Sequence, residues 1–393
     1  MKRILTLALA SALALPALAH AEKGSPLWLR HQQISPDGSQ IAFCYKGDVY
    51  TVPTAGGQAL RLTSNAAYDG TPIWSPDSRS LAFSSDREGS KDVYIVKADG
   101  SGLRRLTYSS EKEVPVAFLD GSTLLFQSYV MPDVKDGMYP WDWFVQTYSL
   151  DLSKTIARPK LYGAYPMLMP SLRGGEILYT DVKGYEDIWR KHAISPVTRD
   201  IWLRSKDGKH TKLTTFGGED RNAVWDSKGG FYYLSEREGS FNVYHRDAAT
   251  AAAADKKITS FTKDPVRFLS IASNGTLCYG FDGEIYTQTP GGQPTKVNVS
   301  IVRDQEESAI NPETIRDGVS SFAVAPSNKE IAFIVHGDVF VTHTEYGTTK
   351  RLTSTPEEER DVDFSNDGKK IVYAAERNGG GNIYMAELNR SDD

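Results

Sequence analysis

Residues 34–63 read ISPDGSQIAFCYKGDVYTVPTAGGQALRLT, and residues 74–107 repeat the same order of motifs as WSPDSRSLAFSSDREGSKDVYIVKADGSGLRRLT. Each copy has a Ser-Pro-Asp turn, a short apolar run, an Asp-Val-Tyr run, a glycine-containing turn and a final Arg-Leu-Thr. Pro, Asp and Gly favour tight turns, and short β-branched or aromatic runs suit a pleated, buried surface. Pro36 and Pro76 lie 40 residues apart. One copy therefore predicts four short antiparallel strands.

The same order of motifs recurs, in weaker form, along the rest of the chain. Six copies extend to about Val302, and two more follow, the last of which stops after its third predicted strand. Repeated four-stranded units of this length are typical of β-propeller blades. One blade cannot bury both of its faces, so the blades are expected to stack in a ring. The predicted fold is all-β: six four-stranded blades closed as one ring, then the first two blades of a second, incomplete propeller.

An alternative is that all eight units close a single ring. A polar, acidic stretch separates the sixth unit from the seventh, and no other junction has a comparable spacer. The sixth unit also has a fourth strand of its own, Thr295 to Val302. Both features favour six blades plus two. The predicted boundaries are 1–21 for a signal peptide, 22–303 for the six-bladed propeller, 304–317 for a linker and 318–393 for the truncated second propeller.

The first 21 residues have the pattern of an export signal. A basic pair at residues 2 and 3 precedes an apolar run, and Ala19-His20-Ala21 fits the small-x-small cleavage rule. The apolar run is shorter than the roughly 20 residues that span a bilayer. We therefore expect cleavage before Glu22 and a periplasmic protein that has no membrane attachment after cleavage.

The composition is that of a soluble globular protein, and it excludes several classes. The chain has 45 Lys+Arg against 50 Asp+Glu and is 40% hydrophobic. A mildly acidic balance argues against a nucleic-acid partner, which requires a basic face. Two cysteines cannot form a disulfide framework. Cys44 and Cys278 fall on the second strands of units one and six, on the same side of their blades, so we expect free buried thiols.

No motif in the sequence supplies catalytic chemistry. The chain lacks a Gly-x-Ser-x-Gly elbow, a His-Glu-x-x-His pair and a Walker-type phosphate loop. Of the seven histidines, five are candidates for metal ligation, and none of these five has a ligand-like spacing: His192, His210, His245, His336 and His343. The sequence therefore predicts no catalytic residue, no metal site and no cofactor within this chain.

A second repeated motif connects the second and third predicted strands of three units. It reads DREG at 86–89, EREG at 236–239 and ERNG at 376–379. An acid–arginine pair can look catalytic, but functional residues occur once in a fold rather than once per repeat. We interpret the motif as structural, with the glycine forming the turn and the charges bracing it: Asp86, Arg87, Gly89, Glu236, Arg237, Gly239, Glu376, Arg377 and Gly379.

Two units are lengthened by inserts. The insert in unit four spans Lys183 to Asp200, and the insert in unit three carries an apolar cluster of Met138, Tyr139, Trp141, Trp143 and Phe144. Long inserts in a repeat fold emerge on one face, where binding residues concentrate. The cluster is a candidate contact for a peptide or another domain, and plain packing against the ring is the alternative.

The repeated motifs Trp-Ser-Pro-Asp, Asp-Arg-Glu-Gly, Asp-Val-Tyr and Arg-Leu-Thr resemble those of TolB-like propellers. The layout of six units and a restart resembles the N-terminal half of tricorn-type serine peptidases. Residues 311–320, NPETIRDGVS, and the restart SFAVAP at 321–326 are similar to exported bacterial members. The resemblance covers essentially the whole mature chain. It implies two propellers that gate and guide peptides, followed by a PDZ module and a catalytic domain that holds the serine and histidine.

Three classes of function follow. The first is a non-catalytic propeller portion of a periplasmic tricorn-type peptidase, with peptides or unfolded polypeptide and the downstream peptidase domains as partners. The second is a stand-alone periplasmic TolB-like protein-binding propeller. The third, a propeller enzyme with a site in its central channel, lacks a convergent catalytic set. The first is favoured; whether the chain counts as part of a hydrolase, and whether it forms a homo-oligomer, stay open.

Overall fold

All regular secondary structure in the described residues is β-strand, which confirms the predicted all-β class. The structure is a computed structural model, and it describes residues 26–129, 145–155, 157–163, 165–184, 190, 195, 197–302, 317–377 and 380–388. Within these ranges there is no apolar helix of the length that a membrane crossing requires. The chain divides into two compact units, residues 1–303 and 304–393.

Six four-stranded antiparallel sheets, numbered 1 to 6 in chain order, form the first unit. The strands of sheets 1 to 3 are Arg30–Ile34, Gln40–Tyr45, Asp48–Pro53 and Leu60–Arg61; Asp69–Trp74, Ser80–Ser85, Asp92–Lys97 and Arg104–Arg105; and Glu113–Phe118, Thr123–Ser128, Gln146–Asp151 and Lys160–Gly163. The strands of sheets 4 to 6 are Leu168–Arg173, Glu176–Thr180, Ile201–Arg204 and His210–Lys212; Asp220–Trp225, Phe231–Ser235, Asn242–Arg246 and Lys256–Lys257; and Arg267–Ile271, Leu277–Phe281, Glu284–Gln288 and Thr295–Lys296. The repeat motifs thus correctly predicted four-stranded units.

The second unit contains sheets 7 and 8. Sheet 7 consists of Ser321–Val324, Glu330–Val335, Asp338–His343 and Thr349–Arg351, and sheet 8 of Glu359–Phe364, Lys370–Ala375 and Asn382–Glu387. An apolar cluster that includes Ile334 and Ile371 joins the two sheets. The last strand of sheet 8 pairs on one side only among the described residues, and Ile383 on it is 82% exposed.

The Ser-Pro-Asp turns owe their shape to side-chain hydrogen bonds. Ser35 Oγ donates to Asp37 Oδ1 over 2.6 Å, and the Ser39 amide donates to the same oxygen over 2.9 Å. The serine bond is the main cause of a lowered pKa for Asp37. The same serine-to-aspartate bond recurs in Ser75–Asp77 and Ser365–Asp367. The motif therefore closes the hairpin between the first and second strands by local chemistry.

Successive sheets of the first unit pack against one another through apolar clusters, and sheet 6 also packs against sheet 1. Phe43 of sheet 1 and Ile285 of sheet 6 belong to one buried cluster. The Ile34 amide donates to Ser270 Oγ over 3.1 Å. In addition, Gly57–Gln58 pairs in parallel with Val299–Ser300, which joins regions near the two ends of the unit.

Both cysteines are buried and free, which confirms the predicted free thiols. Cys44 lies in the cluster between sheets 1 and 2, and Cys278 in the cluster between sheets 6 and 1. Burial raises the pKa of each thiol to about 12. Neither is therefore a nucleophile near neutral pH, because the reactive form of cysteine is the thiolate.

Candidate functional site

The Asp-Val-Tyr and basic-Leu-Thr motifs form a repeated link between the third and fourth strands. In sheet 1, Arg61 Nη2 donates to Asp48 Oδ2 over 2.6 Å, and the Val49 amide donates to Thr63 Oγ1 over 3.0 Å. The amide-to-threonine bond recurs in Val93–Thr107, Ile201–Thr214, Val243–Thr259 and Val339–Thr353. The motif holds a very short fourth strand in place, so its recurrence has a structural cause.

The acid–arginine turns place an arginine beside a buried acid. In sheet 2, Arg87 Nη2 lies 2.9 Å from both carboxylate oxygens of Asp69, and its guanidinium carbon lies 4.6 Å from the Tyr94 ring centroid. The Gly89 amide donates to the Asp86 carbonyl, and Gly89 has a φ of 98°, in the left-handed region. The arginine neutralises a carboxylate that would otherwise be costly to bury.

The other two turns repeat this geometry. Arg237 pairs with Asp220 and lies 4.7 Å from the Tyr244 ring centroid. Arg377 Nη2 lies 2.8 Å from Glu359 Oε1. The Arg377 guanidinium carbon lies 4.5 Å from the Tyr384 ring centroid. The Gly239 amide donates to the Glu236 carbonyl, as in the first turn. Glu376 is exposed, and Gly379 lies outside the described residues. Each arginine thus links the acid of a first strand to the tyrosine of a third strand.

Sheet 3 has the acid without the arginine. Glu113 starts the first strand as Asp69 does in sheet 2, but the sequence position that corresponds to Arg87 is Val130, which lies outside the described residues. Glu113 is buried, and burial raises its pKa to about 7. A neighbouring carboxylate, Asp92, adds to the rise. Glu113 is therefore a group that changes its protonation state near neutral pH.

A buried ionic cluster connects the unit-four insert to sheet 5. Glu219 has no exposed side-chain surface. Its Oε2 lies 3.2 Å from Arg190 Nη2, and its Oε1 lies 3.2 Å from Arg221 Nη1. Arg190 also pairs with Glu236, and the Arg221 guanidinium lies 4.0 Å from the Phe241 ring centroid. Sequence reasoning missed this cluster, because its members share no local motif. The pairs tie Arg190, in the middle of the insert, to sheet 5.

A backbone irregularity recurs in the first strands of the first unit. Each has a break in register against the second strand, and in five of the six a non-glycine residue at the break has a positive φ. These five residues, called here the bulge set, are His31, Thr71, Met169, Asn222 and Phe268, with φ between 49° and 56°. Such conformations cost about 1–3 kcal/mol each and persist only where the surroundings impose them.

The bulge set bridges neighbouring first strands. Asn222 Nδ2 donates to the Leu269 carbonyl over 3.0 Å, and Asn222 Oδ1 accepts from the Leu269 amide over 2.9 Å. The rings of His31 and Phe268 lie 4.7 Å apart. Burial, with Arg30 and Lys91 nearby, lowers the pKa of His31 to about 4, so this side chain is neutral at pH 7. The five side chains of the bulge set are uncharged at pH 7, and none of them is fully buried.

The predicted contact cluster lies outside the described residues: Met138, Tyr139, Trp141, Trp143 and Phe144. Its role stays a prediction. The described histidines make structural contacts, as in the 2.8 Å approach of His210 Nδ1 to the Tyr179 hydroxyl and the 2.7 Å approach of His245 Nε2 to Asp226. No three His, Cys, Asp or Glu side chains of the described ranges are grouped so as to hold a metal ion.

Comparison with known protein families gives one match that covers most of the chain. Residues 26–293 match the tricorn protease N-terminal β-propeller domain. Tricorn protease homolog 1 of Streptomyces coelicolor is 24% identical over 344 residues, which cover 85% of this chain and 30% of that protein. A second tricorn protease homologue of the same organism is 23% identical over 393 residues, which cover 95% of this chain and 32% of that protein.

Among solved structures, the crystal structure of the tricorn protease matches with a TM-score of 0.59 and 18% sequence identity. The match covers 92% of this chain and 34% of that one. At this identity the likeness concerns the fold alone. The chain spans about a third of the length of the curated relatives it matches. Because the family match extends over more than half of the sequence, the chain belongs to the family of tricorn protease N-terminal β-propeller domains and represents the N-terminal propeller region of a tricorn-type protein.

Proposed function

We propose that the chain is the non-catalytic propeller portion of a periplasmic, tricorn-type serine peptidase. In this role it gates or guides peptides and scaffolds downstream PDZ and catalytic domains. The observation that carries the proposal is the pairing of a family match over residues 26–293 with coverage of only 30–32% of the two relatives. Peptide-bond chemistry would then belong to the remainder of such a protein.

The proposal includes a closed ring of six blades, formed by sheets 1 to 6, with sheets 7 and 8 opening a second propeller. Four observations support it. Ile34 of sheet 1 is bonded to Ser270 of sheet 6, and Gly57–Gln58 pairs with Val299–Ser300. Sheet 6 has its own fourth strand, Thr295–Lys296. Sheets 7 and 8 fall in the other compact unit.

The bulge set suits a surface that guides peptides. In a propeller ring, the innermost strand of each blade lines the central channel. The bulge set lies on the first strands, which neighbour one another from sheet to sheet. A peptide in the channel would therefore contact these residues. Met169 is 37% exposed, and His31 is neutral at pH 7 because of its lowered pKa. Neutral side chains of this kind would let peptides of varied sequence pass, since they do not select for the charge of the peptide.

The test requires the complete gene. DNA downstream of codon 393 is expected to encode further blades, a PDZ module and a serine peptidase domain. In that full-length enzyme, Met169→Glu should lower kcat/KM for a peptide of about 25 residues severalfold and leave a fluorogenic tripeptide unaffected. Leu103→Glu, at an exposed position outside the bulge set, serves as the matched control. Equal effects on both substrates, or none, would argue against guiding by the first strands.

The insert and the export signal are tested separately. Trp141→Ala with Trp143→Ala should impair the full-length enzyme and barely change the melting temperature of the first unit. A loss of several degrees would identify the cluster as ordinary packing. N-terminal sequencing of the protein from a periplasmic extract should begin at Glu22, and recovery of an intact Met1 from the cytoplasm would refute the proposed location.

A further inference from the structure

Three junctions between neighbouring sheets share one balance of charge. A junction is here the place where the third strand of one sheet and the first strand of the next sheet begin. Between sheets 1 and 2, Asp48 pairs with Arg61 over 2.6 Å, and Asp69 pairs with Arg87 over 2.9 Å. The junctions of sheets 4 and 5 and of sheets 7 and 8 have equivalent pairs: Asp200–Lys212 and Asp220–Arg237, and Asp338–Arg351 and Glu359–Arg377. At each junction, two acids thus have a basic partner each.

The junction between sheets 2 and 3 has the two acids and one cation. Asp92 pairs with Arg105 over 2.8 Å. The Glu113 amide donates to the Lys91 carbonyl over 2.7 Å, a bond to the preceding sheet that the other three first-strand acids also make. Glu113 is only 3% exposed, and no basic side chain of the described residues pairs with it. Glu113 Oε2 and Asp92 Oδ1 are buried and accept no hydrogen bond from the described part of the chain.

Sheet 3 also has the aromatic rings that accompany a turn arginine elsewhere. In sheets 2, 5 and 8 the guanidinium carbon lies 4.5–4.7 Å from the ring centroid of the third-strand tyrosine. In sheet 3 that tyrosine is Tyr148, which stacks on Phe126 with centroids 5.4 Å apart. The corresponding rings of sheet 2, Phe83 and Tyr94, lie 6.0 Å apart. Sheet 3 therefore has the acid and the rings that hold a guanidinium in the other sheets.

We propose that the junction between sheets 2 and 3 binds the guanidinium group of an arginine from another polypeptide. Arginine has five N–H donors in a fixed fork, so one guanidinium can donate to Glu113 and Asp92 together while its face lies on Tyr148. The turn arginines of sheets 2, 5 and 8 have 10–22% of their side chains exposed. The equivalent place in sheet 3 is therefore near the surface, where an incoming arginine can reach it.

A metal ion fits this junction less well. Calcium takes about six to eight oxygen ligands. No three His, Cys, Asp or Glu side chains within the described ranges are grouped so as to supply them. A lysine ammonium is a compact point charge that lacks the planar fork of arginine. The two carboxylates and the tyrosine ring together favour a guanidinium.

The first arm of the test measures binding of an arginine peptide to the purified protein by isothermal titration calorimetry at pH 8. The probe is Gly-Ser-Gly-Arg-Gly-Ser-Gly, and we expect saturable binding. Replacing its arginine by citrulline, which is neutral and has nearly the same shape, should abolish binding. Glu113→Gln should weaken binding by about tenfold or more, equivalent to about 1.4 kcal/mol. The matched control is Glu111→Gln, which changes an exposed glutamate and should leave binding unaltered.

The second arm tests the tyrosine ring and the protonation of the acid. Tyr148→Leu should weaken binding severalfold, whereas Tyr148→Phe keeps the ring and should bind normally. Binding to the unmodified protein should weaken by about tenfold from pH 8 to pH 6, because Glu113 has a pKa of about 7 and is protonated below it. Asp92, Arg105 and Tyr148 also face Glu113. Arg105 stays charged and paired with Asp92, and burial raises the pKa of Tyr148 to about 12.

Four results would each overturn the proposal. They are no binding of the arginine peptide, equal binding of the citrulline peptide, equal binding to Glu113→Gln, and displacement of the arginine peptide by calcium at equal concentration. The last result would assign the junction to a metal ion. None of these variants changes the bulge set, so this proposal and the proposed guiding of peptides can fail independently.

Discussion

Arg87 and Asp69 form a buried pair in which one guanidinium nitrogen lies 2.9 Å from both carboxylate oxygens, and the Asp69 side chain has no exposed surface. Removing the cation would leave a buried charge without compensation. Arg87→Met should therefore lower the free energy of unfolding by about 3–5 kcal/mol, measured by urea denaturation. The double variant Arg87→Met/Asp69→Asn should recover a large part of that loss.

The control for this pair is Arg79→Met, which removes an exposed arginine of the same sheet. Its effect should stay within about 0.5 kcal/mol. If Arg87→Met lowered the free energy of unfolding no more than this control, the turn arginine would have no structural role. A role in binding would then have to be considered.

The Glu113 carboxyl should make stability depend on pH near neutrality. Its pKa is raised by burial from 4.5 to about 7, so the folded state prefers the protonated form. The free energy of unfolding is therefore highest below the unfolded-state pKa of Glu113, 4.5, and it falls as pH rises towards 7. Glu113→Gln mimics the protonated form. Relative to the unmodified protein, it should become more stable between pH 5 and pH 8, by as much as about 3 kcal/mol.

Urea midpoints measured at several pH values check this prediction. Glu111→Gln changes an exposed glutamate two residues away and should give the same pH profile as the unmodified protein. A stability difference for Glu113→Gln that does not vary with pH would mean that Glu113 titrates in the ordinary carboxyl range.

The two thiols should resist alkylation in the native protein. Cys44 and Cys278 are buried, and their pKa values of about 12 leave almost no thiolate at pH 8. Iodoacetamide should add no group to the native protein and two groups after denaturation, as measured by intact mass. An introduced cysteine at exposed Ser153 should react without denaturation. A mass two hydrogens lighter and no alkylation after denaturation would reveal a disulfide instead.

The last strand of sheet 8 should promote self-association. Ile383 is 82% exposed and Met385 is 59% exposed on a strand that pairs on one side only among the described residues. An exposed apolar strand edge is a template for pairing with another chain, and charges on the edge prevent this. Ile383→Lys with Met385→Lys should therefore shift the sedimentation profile towards monomer without lowering the melting temperature.

Thr349→Lys, at an exposed position on the fourth strand of sheet 7, is the control for added charge. Its profile should match that of the unmodified chain. A chain that is already monomeric at high concentration before any substitution would show that the edge is not adhesive.

Much of the fold could be predicted because its determinants are local. The turn at Ser35-Pro36-Asp37 is fixed by bonds between residues at most five positions apart, so it recurs wherever the motif recurs. The partners of the turn arginines were also within reach of the sequence. Each such turn follows an acid 17 or 18 residues before the arginine, as Asp69 precedes Arg87.

Other features have no sequence signal. The bulge set comprises a histidine, a threonine, a methionine, an asparagine and a phenylalanine, which share no chemistry that would mark a left-handed conformation. The cluster around Glu219 draws Arg190 from an insert and Arg221 from a strand. These sites arise only when segments that are distant in sequence meet. The signal peptide, the domain boundaries and the insert cluster stay predictions.

The parallel pairing of Gly57–Gln58 with Val299–Ser300 has a consequence for how the protein acquires its fold. The Gly57 amide donates to the Asn298 carbonyl, so the second glycine of an early turn finds its partner only when the last segment of the unit has been synthesised. Contacts of such high sequence separation slow folding. Until then, the face of sheet 1 that contains Phe43 has no cover. A nascent chain would benefit from a holding chaperone, and refolding in vitro should be slow and sensitive to protein concentration.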